Sequence, residues 1–164
     1  MESKSLDERI LEKENVIYYL SKKLIEKKRY SEQTIIIPKL VCLLAIAQGH
    51  SLVYFDNFIT DCSFQVVGKE KFINVDWIAY MWSRGKLKFK HLSEIKLPRL
   101  DPYSENSINF IVELYNEFSF DELTEIVTEC LGTIELSQYY LTVNDFRYIY
   151  LKQEMSCSHV KIRI

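Results

Sequence analysis

The sequence predicts a mainly helical (α+β) fold with a few short β-strands, built as a single compact domain around one buried central helix. Its length of 164 residues suits one domain. Hydrophobic residues make up 48% of the chain, which is enough to form a core. With only 4 glycines and 3 prolines, tight turns are few, so long helices are favoured over a many-stranded sandwich.

The first predicted element is an N-terminal amphipathic helix within residues 1–34. Ser5 and Glu8 form a capping box, in which each side chain can bond to the backbone amide of the other residue. Apolar residues then recur at helical spacing up to Leu24, and basic residues follow. Cations interact favourably with the negative end of a helix dipole, so these residues predict a solvated helix end.

The second predicted element is the central helix, which opens a core unit covering residues 35–132. Pro38 suits the first turn of this helix, and residues 39–47 are apolar on nearly all sides. Gly49 is expected to end it, because glycine readily adopts the left-handed conformation that follows many helices. Three short β-branched and aromatic runs are predicted as strands: 52–55, 63–67 and 71–75.

A short aromatic helix and an edge strand are predicted next, at residues 76–82 and 86–90. Lysine alternates with apolar residues in the second of these, at the period of a strand. Lysines on an edge strand discourage unwanted pairing. The same residues, Lys86, Lys88 and Lys90, are where weak DNA binding would occur.

Two further helices are predicted after a proline-containing boundary at residues 97–102. The first runs from Ser104, as its cap, to Phe118. The second opens with a capping box formed by Ser119 and Glu122 and ends before a glycine. The residues expected to face inward are Ile108, Ile111, Val112 and Tyr115 on the first helix and Leu123, Ile126, Val127 and Cys130 on the second.

The C-terminal part, residues 133–164, is expected to pack on the same domain. A last helix is predicted from Asn144 or Asp145 to Lys152. Residues 160–164 then alternate as a terminal strand would.

Charge is distributed unevenly along the chain. Residues 1–99 carry a net charge of +5, residues 100–146 carry 10 acidic and no basic residues, and residues 147–164 carry +3. The acidic segment either docks against the basic first half of the chain or forms a surface for a basic partner. The sequence leaves both alternatives open.

The predicted partner-binding site lies on the helix that follows Ser119. Helical spacing places its carboxylates together on the outward face, and neighbouring aromatic side chains are expected to supply apolar anchors. The predicted site residues are Phe118, Phe120, Asp121, Glu122, Glu125 and Glu129.

The sequence predicts no catalytic, metal or cofactor site. Its four glycines are too far apart for a phosphate-binding loop. Its four cysteines lack metal-ligand spacing and are expected to be free thiols. Cys157 and His159 are neighbours in sequence but do not form a recognisable nucleophile–base pattern. We therefore expect a protein that is not an enzyme and carries no cofactor.

The sequence also predicts a cytoplasmic protein without a membrane partner. No run of eighteen uncharged apolar residues occurs, and the acidic N-terminal residues do not resemble a signal peptide. The 11 tyrosines permit a homodimer without requiring one.

Two groups of residues follow the pattern of a known family. The first is Pro38-Lys39-Leu40, Leu43-Leu44, Ala47-Gln48-Gly49, Leu52, Tyr54 and Phe58-Ile59. The second is Ser107, Phe110, Ile111, Glu113, Tyr115, Phe118, Glu122-Leu123-Thr124-Glu125 and Thr128-Glu129. Together they resemble the Panacea domain of antitoxins and phage-associated proteins, over about residues 35–132. The resemblance implies a mainly helical, non-enzymatic domain that neutralises a toxin by binding it or delivers a client to a protease.

These observations predict a non-enzymatic, antitoxin-like interaction module. It would either neutralise a cognate toxin by binding it directly or act as an adaptor. The alternative is a phage or mobile-element inhibitor of a host nucleic-acid-handling defence enzyme, with the acidic segment mimicking phosphates. Binding by phosphate mimicry would depend steeply on salt, because exposed charges are screened within about 10 Å at 0.1 M salt.

Overall fold

The computed structural model of the chain describes residues 6–27, 37–67, 72–75, 94, 96–131 and 138–162. Within these residues the fold is mainly helical, as predicted, with three short strands. The helices are α1 (Leu6–Glu26), α2 (Ile37–Phe55), α3 (Pro102–Tyr115), α4 (Phe120–Leu131) and α5 (Val143–Ile162). The strands are β1 (Phe64–Val67), β2 (Phe72–Val75) and β3 (Gln138–Tyr140).

Helix α2 lies at the centre of the core, which confirms the prediction of a buried central helix. Every residue from Lys39 to Leu52 is buried. The helix packs most extensively against α5 and then against α3 and α4, while α1 packs mainly on α3. A helix that is apolar on all sides is stable in water only when neighbouring elements surround it, and these helices do so.

The length and composition of α2 are only weak evidence for membrane association. The stretch Pro38–Phe55 is long and apolar enough to cross a membrane, and 78% of it is buried inside the structure. A core helix of a folded domain passes the same test. The expectation of no membrane partner therefore stays a prediction.

Helix α2 is longer than predicted, because Gly49 does not end it. The helix continues to Phe55, so the predicted strand at residues 52–55 is wrong. Leu52 faces the core and is 2% exposed, as a further turn of a buried helix requires. The left-handed residue that follows α2 is Asp56, with φ of 49°, a position that aspartate tolerates better than most side chains.

The three strands form one antiparallel sheet with the order β2-β1-β3. Strands β1 and β2 confirm the predictions at residues 63–67 and 71–75, whereas β3 was not predicted. Phe64 pairs with Val75 in the β1–β2 ladder. Phe64 and Val66 are buried and Gln65 is only half-buried, which is the alternation of a strand with one face on the core.

The predicted N-terminal cap is wrong for α3 and confirmed for α4. The cap of α3 is Asp101, whose side chain accepts from the Ser104 amide at 2.9 Å, so Ser104 lies inside the helix. Asp101 caps the helix because Pro102 follows it, and proline favours the first helical position. At α4, the Glu122 amide donates to Ser119 Oγ at 3.1 Å, which confirms the predicted start.

Helix α5 starts near the predicted residue but runs farther. Thr142 precedes it as the cap: its amide donates to Asp145 Oδ2 at 2.7 Å, and the Asp145 amide donates to Thr142 Oγ1 at 3.3 Å. The helix continues to Ile162. The predicted end at Lys152 is therefore wrong, and so is the predicted terminal strand for residues 160–162, which are helical.

Other sequence expectations fall outside the described residues. They concern the Ser5 cap, the basic residues 28–29, the helix at 76–82, the strand at 86–90, Gly132, and the end of the predicted terminal strand at 163–164.

Candidate functional site

Helix α4 carries the predicted site residues, and its packing determines which of them are accessible. Leu123 and Val127 are buried, 0% and 2% exposed, where α4 packs on α2 and α5. Ile126 is half-buried beside them. The opposite side of the helix therefore faces solvent. We call its four exposed carboxylates, Asp121, Glu122, Glu125 and Glu129, the acidic face.

The start of α4 is held by two bonds between Ser119 and Glu122, and the bond from the Glu122 amide to the Ser119 hydroxyl is one half of the predicted capping box. The Ser119 hydroxyl donates to Glu122 Oε1 at 3.3 Å, while the Glu122 amide donates back to that hydroxyl. Asp121 and Glu122 lie in the first turn, where negative charge interacts favourably with the positive end of the helix dipole. Both the hydrogen bonds and the dipole stabilise the end of α4 that carries half of the acidic face.

Two lysines lie near the acidic face. Lys39 of α2 is 5% exposed and interacts electrostatically with Glu122. Burial lowers the pKa of Lys39 to about 8, and the charge of Glu122 acts in the opposite direction. Lys152 of α5 places its Nζ 3.5 Å from the backbone carbonyl of Glu129. Among the described residues, no ion pair engages the side chains of Asp121, Glu125 or Glu129.

The carboxylates of α3 behave differently from those of α4. Glu113 of α3 forms an ion pair with Lys27, and Glu105 lies 3.7 Å from Arg99. Both cations belong to the basic first half of the chain. Helix α3 thus docks against first-half cations. The carboxylates of α4 are exposed, although Glu122 also interacts with Lys39 of the first half, so both alternatives left open by the charge pattern apply to α4 in part.

The two predicted aromatic anchors are partly occupied by the core. Phe118 and Phe120 are half-buried and pack against it. The ring of Phe118 lies edge-on to that of Tyr115, with centroids 5.1 Å apart. Only the exposed part of each ring remains for contact with a partner, and both flank the first turn of the acidic face.

A group of exposed aromatic residues was missed by the sequence analysis. Tyr54 and Phe110 are 51% and 43% exposed, and their rings lie 4.9 and 4.7 Å from the ring of the buried His50. Tyr150 meets the same imidazole edge-on at 5.1 Å. These four residues come from α2, α3 and α5. The only sequence signal is the four-residue spacing of His50 and Tyr54 on one helix face.

The polar contacts around His50 do not form a catalytic arrangement. His50 Nδ1 lies 2.7 Å from Ser107 Oγ, and Ser107 is fully buried within α3. A nucleophile must be reachable by a substrate, and this hydroxyl is covered. The Tyr54 hydroxyl donates to Glu154 Oε1 at 2.5 Å. Burial lowers the pKa of His50, which Glu154 partly opposes, so the neutral imidazole is favoured as a packing group.

Cys42 and Cys62 are buried free cysteines. Burial raises the pKa of the Cys42 thiol to about 11, so the thiol remains protonated at neutral pH. Within the described part of the chain, no group of three His, Cys, Asp or Glu side chains is placed to hold a metal ion.

Comparison with known proteins gives no family for this chain. No family model matches it, and no curated protein or solved structure is significantly similar to it. The resemblance to the Panacea domain therefore stays a prediction.

Proposed function

We propose that this chain is a non-enzymatic, antitoxin-like interaction module that neutralises a basic protein partner by binding it through the acidic face of α4. One observation carries the proposal: four carboxylates are exposed together on one helix face. We also propose that the chain forms a single compact domain and acts in the cytoplasm.

Charge and apolar surface are expected to make different contributions to this binding. Complementary charges raise the association rate and select the partner, while desolvated aromatic side chains contribute more of the affinity. The acidic face would therefore steer a basic surface onto α4. The exposed parts of Phe118 and Phe120 would then anchor its first turn.

The test combines growth rescue with co-purification of the product of the adjacent gene. In the first variant the acidic face is neutralised by D121N, E122Q, E125Q and E129Q; glutamine at position 122 can still serve in the capping box. The matched control removes four exposed carboxylates elsewhere, with E8Q, E26Q, E113Q and E117Q. Both variants change the net charge by the same amount.

We expect the first variant to lose growth rescue and the complex, and the control to retain both. Loss of about 1 kcal/mol per removed contact would weaken binding by about fivefold each. Equal behaviour of the two variants, or no complex with the wild-type chain, would contradict the proposal.

The salt dependence of the same complex separates the alternative function. An antitoxin that is also anchored by apolar contacts should bind with a shallower salt slope than a phosphate mimic bound to a nucleic-acid-handling enzyme. A steep slope, together with competition by duplex DNA, would replace the antitoxin proposal with the defence-inhibitor alternative.

A further inference from the structure

A cavity of about 670 Å³ opens between α1, the loop that follows α2, and the segment before α3. Its volume falls within the range of about 300–1,000 Å³ typical of small-molecule sites. None of the residues that line it belongs to the acidic face of α4. The cavity therefore needs an explanation separate from the proposed protein partner.

The loop wall of this cavity is held in place by the buried side chain of Gln48. Gln48 Oε1 accepts from the Ile59 amide at 2.9 Å and from the Thr60 amide at 3.4 Å. Gln48 Nε2 donates to the Thr60 carbonyl at 2.8 Å. The side chain thus replaces the strand or helix partners that these backbone groups lack, and it fixes the loop against α2.

Asn57 fixes the same loop on its other side. Its Nδ2 lies 3.2 Å from Ser51 Oγ, 3.2 Å from Ser104 Oγ and 3.3 Å from Asp101 Oδ1. Its two N–H groups are therefore shared among three acceptors on α2 and at the start of α3. A wall held by this many bonds keeps its shape without a ligand, which lowers the entropic cost of binding one.

The charges around the cavity are nearly balanced. Among the described residues, three carboxylates and two cations line it: Glu12, Asp61 and Asp101, with Lys13 and Arg99. A polyphosphate would meet the carboxylates, and a polycation would meet the cations. A ligand that carries one charge of each sign avoids both conflicts.

The existing ion pairs leave these groups available to a ligand. Lys13 Nζ lies 3.7 Å from Asp61 Oδ1, and the Asp61 side chain is 69% exposed. Arg99 Nε lies 3.7 Å from Glu105, and the Arg99 side chain is 87% exposed. Each pair has one exposed partner and one partly buried partner, and at 3.7 Å such pairs contribute about 0–1 kcal/mol, so a ligand can replace them at small cost. Asp101 is different, because its oxygens already accept from Ser104 and Asn57.

We propose that this cavity binds a zwitterionic ligand of the amino-acid or short-peptide class. The ligand carboxylate lies against Arg99 and Lys13, and its ammonium lies against Asp61. Its apolar part contacts Phe58, which is half-exposed at the cavity. The buried side chains of Val16 and Ile59 supply further apolar lining.

The test titrates the full ¹⁵N-labelled chain with the dipeptide glycyl-phenylalanine and follows the side-chain amide signals of Asn57 and the backbone signal of Phe58. The N-acetylated and C-amidated dipeptides serve as probes that lack one charge each. We expect the free dipeptide to shift these signals saturably and each blocked form to bind about fivefold more weakly, a difference of about 1 kcal/mol.

Variants assign each charge to its partner. R99Q should reduce the preference for the free carboxylate over the amide, because Lys13 remains, and D61N should remove the preference for the free ammonium over the acetylated form. K23Q is the matched control, because Lys23 lies on α1 and pairs with Glu26 outside the cavity. F58A should weaken the free and blocked dipeptides alike, which tests the apolar contact separately.

The proposal is overturned if none of the dipeptides shifts these signals up to about 10 mM, a concentration that corresponds to about 2.7 kcal/mol of binding free energy. Equal binding of free and blocked dipeptides would overturn it as well. The spectrum of each variant reports whether the chain is folded, so loss of binding through unfolding is recognised directly.

Discussion

At Gly49 the backbones of α2 and α5 approach so closely that no side chain fits between them. A Cβ atom at this position would lie 2.2 Å from the Phe146 carbonyl oxygen and 2.8 Å from Tyr150 Cβ. Glycine inside a helix is usually about 1 kcal/mol less favourable than alanine. Here its lack of a side chain permits the close approach of α2 and α5, which explains a glycine inside the helix.

Gly49→Ala is therefore expected to destabilise the protein, against the ordinary helix preference. The backbone oxygen of Phe146 cannot turn aside as a flexible side chain could, so α2 and α5 must separate. Overpacking of this kind lowers the free energy of unfolding by about 1–3 kcal/mol. Urea unfolding measures the change in the free energy of unfolding. Ala47→Gly, at a fully buried position on the same helix, is the control, because it shows the effect of exchanging alanine and glycine away from position 49. A Gly49→Ala chain as stable as the wild type would show that the helices can separate freely.

His50 gives the protein a stability that falls in mild acid. Burial lowers its pKa below the ordinary value of 6.5, so the folded chain binds a proton less readily than the unfolded chain. The free energy of unfolding should then fall as the pH drops below 6.5 and level off below the folded-state pKa. NMR titration of the His50 ring measures that pKa directly, and we expect a value below 6.5.

His50→Gln isolates this contribution. The variant should be less stable than the wild type at neutral pH, because the ring contacts with Tyr54, Phe110 and Tyr150 are lost. Its stability should, however, change less between about pH 7 and pH 5, since position 50 no longer titrates. Parallel pH profiles for the two chains would contradict the assignment to His50.

At the scale of single elements, local signals predicted the helix starts better than the helix ends. The capping box at Ser119 depends on residues three apart, and α4 begins where it predicts. The end of α2 depends on the packing of Gly49 against α5, about a hundred residues away in sequence, which no local pattern contains. The alternation at residues 160–164 predicted a strand, but residues 160–162 continue α5. Short alternating segments are compatible with either structure until tertiary contacts decide.

Ser119→Ala tests how far the capping box supports the candidate site. Losing the bond to the Glu122 amide should lower the free energy of unfolding by about 1 kcal/mol. Hydrogen exchange should increase mainly in the first turn of α4, where Asp121 and Glu122 lie. Ser63→Ala, an exposed serine before β1, is the control. Unchanged exchange in that turn would mean that packing alone holds the start of α4.

Across the whole molecule, the sequence predicted the acidic face but not the aromatic cluster or the cavity. The acidic face lies on one helix, so helical spacing was enough to place its carboxylates together. The cluster around His50 combines α2, α3 and α5, and the cavity combines α1 with two connecting segments. Residues that meet through tertiary packing carry no joint pattern in the sequence.

Lys39 links the basic first half of the chain to the acidic face, and its titration should be visible in the stability of the whole protein. Burial lowers its pKa from 10.5 to about 8, so between these values the unfolded chain binds more protons than the folded chain. Its contribution to the free energy of unfolding therefore rises with pH from about 8 to 10.5, and below pH 8 the full cost of burying the charge remains.

Lys39→Met removes that cost while keeping a side chain of similar length. We expect the variant to be more stable than the wild type at pH 7 by about 1–3 kcal/mol, because a buried cation is replaced by an apolar group. The difference should shrink as the pH approaches 10, where the wild-type lysine is neutral in the folded state. Urea unfolding between pH 7 and pH 10 measures this difference in stability. Lys23→Met on α1 is the control for replacing one lysine with methionine. A difference between wild type and Lys39→Met that stays constant with pH, or a variant less stable at pH 7, would mean that contacts of the ammonium group outweigh its burial.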